Sequence, residues 1–426
     1  MAPLLKILAR RWRGDVVLRI PTMKDIVVSR PYQFVSPHRG DWWPTFIQNF
    51  DLFSIWLRRA EGVVAHEIRH ADRLRASLQA GHGIMLAPNH CRNADPVAIG
   101  YLARQAKTHV YAMASWHLFN QGKFNAFAIH KMGAFSVYRE GVDKQAINTA
   151  IQILEDAERP LIVFPEGSVS RTNDRLHALL DGVAFIARTA AKRRAKHDPP
   201  GKVVIHPVGI KYLFQGNLAE AVTPVLEMIE DRLTWHKQTH LPLLERVFKA
   251  GHALLCLKET EYFGRPQTGS MAERLTGLIN RLLHPIEQEW LGGPQEGAVV
   301  PRVKALRMKI LPEMVRGKLP PQEYQRRWRQ LSDMYLAQSV RCYPPDYLAK
   351  PTVERILETI ERFEEDLTGD VRVHGKLKAV IDVGEPIEVT PERDRRATVD
   401  PLMAELAGRM QALIDELAQE STPYSE

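Results

Sequence analysis

Asn89-His90-Cys91-Arg92-Asn93-Ala94-Asp95-Pro96 sets a histidine and a carboxylate five positions apart, between a short apolar run and a helix start. The preceding Gly83-Ile84-Met85-Leu86-Ala87 has the length and composition of a buried strand, and Pro96 suits the first position of a helix with Asp95 as its N-cap. His90 then falls on the connecting loop. Five residues along a continuous α-helix turn about 500°, which would point the two side chains apart, so the pair meets only across a turn. The Asp95-Pro96 boundary supplies one. A carboxylate bonded to one imidazole nitrogen fixes the tautomer and stabilises the imidazolium that forms, leaving the other nitrogen free to take a proton. His90 is therefore the candidate general base, and Asp95 its orienter.

With 16 histidines in the chain, about one such spacing is expected by chance. Three further segments add to it: Gly133-Ala134-Phe135-Ser136-Val137-Tyr138-Arg139, Phe164-Pro165-Glu166-Gly167-Ser168 and Ile205-His206-Pro207-Val208-Gly209-Ile210. In this order and at these spacings the four blocks resemble the glycerolipid acyltransferase family, over roughly residues 80 to 214. The resemblance implies an α/β fold, a sheet flanked by helices, and transfer of a fatty acyl group from acyl-CoA or acyl carrier protein to a lysophospholipid. The foremost acceptor is 1-acylglycerol-3-phosphate, with glycerol-3-phosphate or another lysolipid as alternatives. A thioester or ester hydrolase would use the same His-Asp pair on water.

Acyl transfer to an alcohol needs a base for the hydroxyl proton, stabilisation of the carbonyl oxygen and a site for each substrate. Glu166 is a candidate to bind the acceptor hydroxyl or help close the site, and Gly167 lets backbone approach a ligand closely. Arg139 and Arg171 offer paired donors to phosphate oxygens, and by resemblance they match acceptor-binding arginines. One departure stands out: Val169 occupies a third-block position where relatives often carry arginine. Cys91 is a poor candidate nucleophile, because sequence neighbours rarely aim at one point and the base activates the acceptor directly. No cofactor is implied beyond the acyl carrier, and no His or Cys spacing suggests a metal site.

The formal net charge of +8 predicts attraction to an anionic partner. Basic residues cluster at Lys6, Arg10, Arg11 and Arg13, at Lys192, Arg193, Arg194 and Lys196, and around Trp328. No nucleic-acid motif accompanies them, so an anionic membrane surface is the better match. The three cysteines are scattered, as in a reducing, cytoplasmic compartment. No run reaches the roughly 18 to 20 apolar residues that would span a bilayer, which predicts peripheral association. The segment from Trp42 to Arg59 has the aromatic and basic ends that suit a headgroup boundary, although a helix packed on the sheet fits it as well.

These patterns divide the chain into a basic and aromatic membrane-facing region (1–75), an acyltransferase core (76–214), a helical insertion (215–370), and final strands with a C-terminal helix returning to the core (371–426). Leu176, Leu179, Leu180, Val183 and Ala187 predict one helix, Val371-Arg372-Val373 a strand, and no repeat of fixed period is apparent.

Overall fold

The computed structural model describes residues 26–425 except 235, 394, 395 and 398. The basic cluster Lys6, Arg10, Arg11 and Arg13 lies outside the described residues. Eight strands form one sheet: β1 (Val63–Arg69), β2 (Gly83–Pro88), β3 (Tyr111–Ser115), β4 (Ala134–Val137), β5 (Leu161–Ile162), β6 (Val203–Phe214), β7 (Leu377–Val383) and β8 (Ile387–Glu388). Their order is β1-β7-β6-β2-β5-β3-β4, with β8 also on β6. The run from β6 to β4 is parallel, whereas β7 and β8 pair antiparallel to β6, and β1 is parallel to β7.

Around the sheet lie α1 (Trp42–Asn49), α2 (Leu52–Ala60), α3 (Ala71–Gln79), α4 (Asp95–Gln105), α5 (Lys123–Lys131), α6 (Lys144–Asp156) and α7 (Gly182–Arg194). The insertion contributes α8 (Leu218–Thr234), α9 (Leu243–Phe263), α10 (Met271–Leu291), α11 (Val299–Arg316), α12 (Pro321–Val340) and α13 (Val353–Thr368), and α14 (Pro401–Ala418) closes the chain. Because successive strand residues face opposite ways, Ile84 and Leu86 of β2 join one core with α2, α3, α4, α8 and α13. Met85 and Ala87 join a second core with α6, α7 and α14. The result is a mixed sheet between two helical layers. The insertion has a third core of its own, built from Leu278, Leu282, Val303, Leu306, Leu331 and their neighbours.

Four sequence expectations change. α4 starts at Asp95 with Ala94 as its cap, because the Asp95 carboxylate turns back to accept from the Arg92 amide at 2.9 Å. α7 starts only at Gly182; Leu180 precedes it in a turn, tied by its amide to the Pro165 carbonyl and packed over Gly167. Val371 to Val373 form no strand; the following His374 amide is taken by Glu361, and pairing begins at Leu377. β1 falls within the first 75 residues yet sits at the sheet edge, so the sheet begins earlier than residue 76.

A repeat is present in the insertion, in its polar residues as well as its apolar ones: Ala250, Leu278 and Leu306 stand four residues after Arg246, Arg274 and Arg302. Glu230, Glu259 and Glu287 each accept from a glutamine amide eight residues on: Gln238, Gln267 and Gln295. Each also pairs bidentately with an arginine on the next helix, Arg246, Arg274 and Arg302 respectively. One buried clamp thus sets each of the hairpins α8–α9, α9–α10 and α10–α11. Removing one partner of such a pair leaves a buried charge uncompensated, at a cost of about 3 to 5 kcal/mol.

Candidate active site

β2 ends at Pro88, and Asn89 prolongs its ladder with β6 by side chain. Its amide donates to the Ile210 carbonyl at 3.0 Å and its oxygen accepts from the Ile210 amide at 2.7 Å. The loop that follows is thereby pinned before it reaches His90. The His90 ring bonds through Nδ1 to Asp95 Oδ2 at 2.9 Å and stacks on Phe164, ring centroids 4.1 Å apart. Nε2 has no protein partner among the described residues and is the nitrogen left to take a proton.

Asp95 is fully buried, and four donors converge on it. Oδ2 accepts from the His90 ring and the Arg92 amide; Oδ1 accepts from the Tyr212 hydroxyl at 2.7 Å and, weakly, from the Cys91 thiol at 3.8 Å. Burial, with Asp95 next, pushes both the Cys91 thiol and the Tyr212 hydroxyl well above their usual ranges, so each stays protonated as a donor. A thiol so held is no nucleophile. Tyr212 and Asn173 were not legible as site residues. Asn173 exchanges two bonds with the Tyr212 backbone, at 3.1 and 3.2 Å, and Tyr212 follows Val208 and Ile210 on one face of β6. That period-two spacing was the available signal.

Glu166 follows β5, and both its oxygens are occupied by backbone: Oε1 accepts from the His90 amide at 2.8 Å and Oε2 from the His177 amide at 3.0 Å. Burial raises its pKa to about 7, opposed by those two amides. Of the two roles considered for Glu166, this geometry suits closing the site, since neither oxygen is left for an acceptor hydroxyl. Gly167 has φ of +70°, and a Cβ there would meet Leu180 Cδ1 at 2.5 Å, so the turn requires glycine. Arg139 donates to the Gly167 carbonyl at 3.2 Å, and Arg171 pairs with Glu365 of α13 at 3.1 Å.

His90, Arg139, Gly167 and Arg171 line one cavity of about 2400 Å³, with Asp95 and Glu166 behind its wall. Met113 of β3, Ile147 of α6 and Ile186 of α7 give it an apolar side; Leu254, Leu278 and Phe363 of the insertion face it as well. The site lies beyond the carboxyl ends of β2, β4 and β5, where open α/β sheets hold their ligands. The family model described as Acyltransferase matches residues 67–211, from β1 into β6. No curated protein and no solved structure matches the chain.

Proposed function

We propose, from the premise that residues 67–211 are an acyltransferase domain of the glycerolipid acyltransferase family, that this acyltransferase moves a fatty acyl group from acyl-CoA or acyl carrier protein to a lysophospholipid, foremost 1-acylglycerol-3-phosphate. The observation that carries the reading is the His90–Asp95 pair on the wall of a large, mostly apolar cavity. The acceptor hydroxyl gives its proton to His90 Nε2 as its oxygen attacks the thioester carbonyl. Asp95, held by Tyr212 and the Arg92 amide, stabilises the imidazolium. Collapse of the tetrahedral intermediate breaks the C–S bond, and the leaving thiolate takes the proton back. No acyl-enzyme is needed. Arg139 and Arg171 are the proposed contacts for the acceptor phosphate, and Arg171 exchanges its Glu365 partner for it.

The lipid route is supported by the aromatic surface of α1, α2 and α5. Trp42 is 64% exposed and Phe124 80%, while Phe53 and Leu57 are buried in the sheet core. Leu52, Trp56 and Phe124 also line the cavity, which makes that surface continuous with the site. No helix among the described residues is long and apolar enough to cross a membrane. Peripheral seating at an anionic membrane is the proposed location.

The test is transfer from labelled acyl-CoA to a panel of lysolipid acceptors. His90→Ala and Asp95→Asn should each lower turnover by about 10² to 10⁴-fold, the usual worth of a general base. Melting should move little for His90→Ala, whose side chain anchors no core, whereas Asp95→Asn turns an NH₂ toward buried donors and should lower it by about 1 to 3 kcal/mol of stability. Free fatty acid released at equal rate without acceptor would make the chain a hydrolase.

A further inference from the structure

Three arginines converge on the turn after β5, and they differ in what holds them. Arg139 donates to the Gly167 carbonyl and Arg171 is paired with Glu365. Arg341, the residue that caps α12, reaches across from the insertion and donates through Nη2 to Ser168 Oγ at 3.0 Å. Its Nε is buried with no hydrogen-bond partner among the described residues. Arg171, Arg307 and Arg362 of the same cavity face Glu365, Glu140 and Asp366, but Arg341 has no carboxylate partner among the described residues. A half-buried guanidinium whose one hydrogen-bond partner is a neutral hydroxyl keeps donors free for an anion, and an anion arriving there offsets the desolvation of its buried Nε.

The charge sits against the third block itself. Arg341 acts on Glu166 and on His177, whose amide Glu166 holds. Burial first, then Arg341 and Arg175, lowers the His177 pKa to about 4, so the imidazole adds no charge of its own. Val169, where relatives often carry arginine, lies next to Ser168 in the same cavity lining.

We propose that Arg341 is a specificity-determining residue supplied by the insertion, binding the phosphate of the glycerolipid acceptor in place of the guanidinium absent at Val169. The proposal rests on the acyltransferase reading above and adds a residue from outside the matched segment 67–211. A phosphate of the CoA donor has the same chemistry, so the two substrates must be varied separately.

The experiment compares the full chain with Arg341→Met and Arg341→Lys, using oleoyl-CoA with lysophosphatidate or with monooleoylglycerol. Arg341→Met should raise the KM for lysophosphatidate by roughly tenfold to a hundredfold, the worth of one charge-assisted hydrogen bond, with a smaller change in kcat. Arg341→Lys should recover part of it, and the KM for oleoyl-CoA should hold within about twofold by the same argument. Equal losses on both acceptors with a lowered melting temperature would make Arg341 a tie between insertion and core, and overturn the proposal. A rise confined to the oleoyl-CoA KM would also overturn it, in favour of the donor phosphate. If the parent transfers to neither acceptor, the functional reading fails separately. Calorimetric titration with glycerol-3-phosphate then decides Arg341, which requires weaker binding by Arg341→Met.

Discussion

Glu166→Gln removes a carboxyl whose pKa burial raises from 4.5 to about 7 while keeping its shape. A raised pKa means that the folded chain holds the proton more tightly than the unfolded one. Stability linked to Glu166 is therefore fully present below about pH 4.5 and is lost as pH rises through about 7. At 1.36 kcal/mol per pH unit, that span corresponds to about 3 kcal/mol. Glutamine does not titrate, so its variant lacks this slope. It keeps an oxygen for the His90 amide but turns an NH₂ toward the His177 amide, which costs about 1 to 3 kcal/mol at acid pH. Glu358 is also raised to about 7, so the parent alone would show both groups, and only the difference between parent and variant isolates Glu166. Equilibrium urea unfolding at pH 5, 6, 7 and 8 measures it. The variant should begin less stable and overtake or match the parent by pH 8. A difference that stays constant across the range would refute the argument that burial governs this carboxyl.

Arg274→Met should destabilise the chain by about 3 to 5 kcal/mol, because it strands a fully buried Glu259. Arg326→Ala, which breaks exposed pairs with Glu289 and Glu323, should cost under about 1 kcal/mol, and equal losses in urea unfolding would discredit the clamp. Replacing Trp42 and Trp56 with alanine should weaken vesicle binding at low and high salt alike, because the lost contribution is apolar and unscreened. Normal sedimentation with vesicles would move the membrane contact elsewhere.

β2 was legible because Gly83 to Ala87 is a short apolar run ended by turn residues, and His90 follows that end closely. The Asp95 contact was legible because a proline fixes the turn that brings the carboxylate back. Tyr212 was hidden by position: its hydroxyl reaches Asp95 from a strand more than a hundred residues later, and nothing local marks a tyrosine in an apolar strand as an orienter. For Glu166 the sequence left two roles open, since which atoms a carboxylate faces depends on two backbone amides from separate loops. The insertion's repeat escaped because it runs to only three units, and the first carries one residue more between its glutamate and arginine, Glu230 and Arg246, than the other two. β1 escaped because Val63–Arg69 includes His66 and Glu67, and an edge strand needs only one apolar face.

The return of the chain explains how so long an insertion can serve the site and not merely hang from it. Phe214, the last residue of β6, is paired with Leu377, the first of β7, and the Gln215 amide donates to the Lys376 carbonyl at 2.7 Å. The insertion thus leaves and re-enters the sheet at hydrogen-bonded neighbours, and closing such a loop costs only logarithmically more as it lengthens. Closure at the base leaves its far surface free to evolve, but α13 is drawn back onto the sheet, where Ile356, Leu357 and Ile360 join the core around Tyr212. From there Glu361 pairs with Arg92 at 2.8 Å and Glu358 accepts from the Asn173 amide at 3.3 Å, one on the His90 loop and one beside Tyr212. The insertion therefore reaches the His90–Asp95 pair through Glu361 and Glu358 from one side and the third block through Arg341 from another. Under the proposed function, an added helical segment so connected would set which acceptor is acylated while leaving the His90–Asp95 chemistry to the sheet.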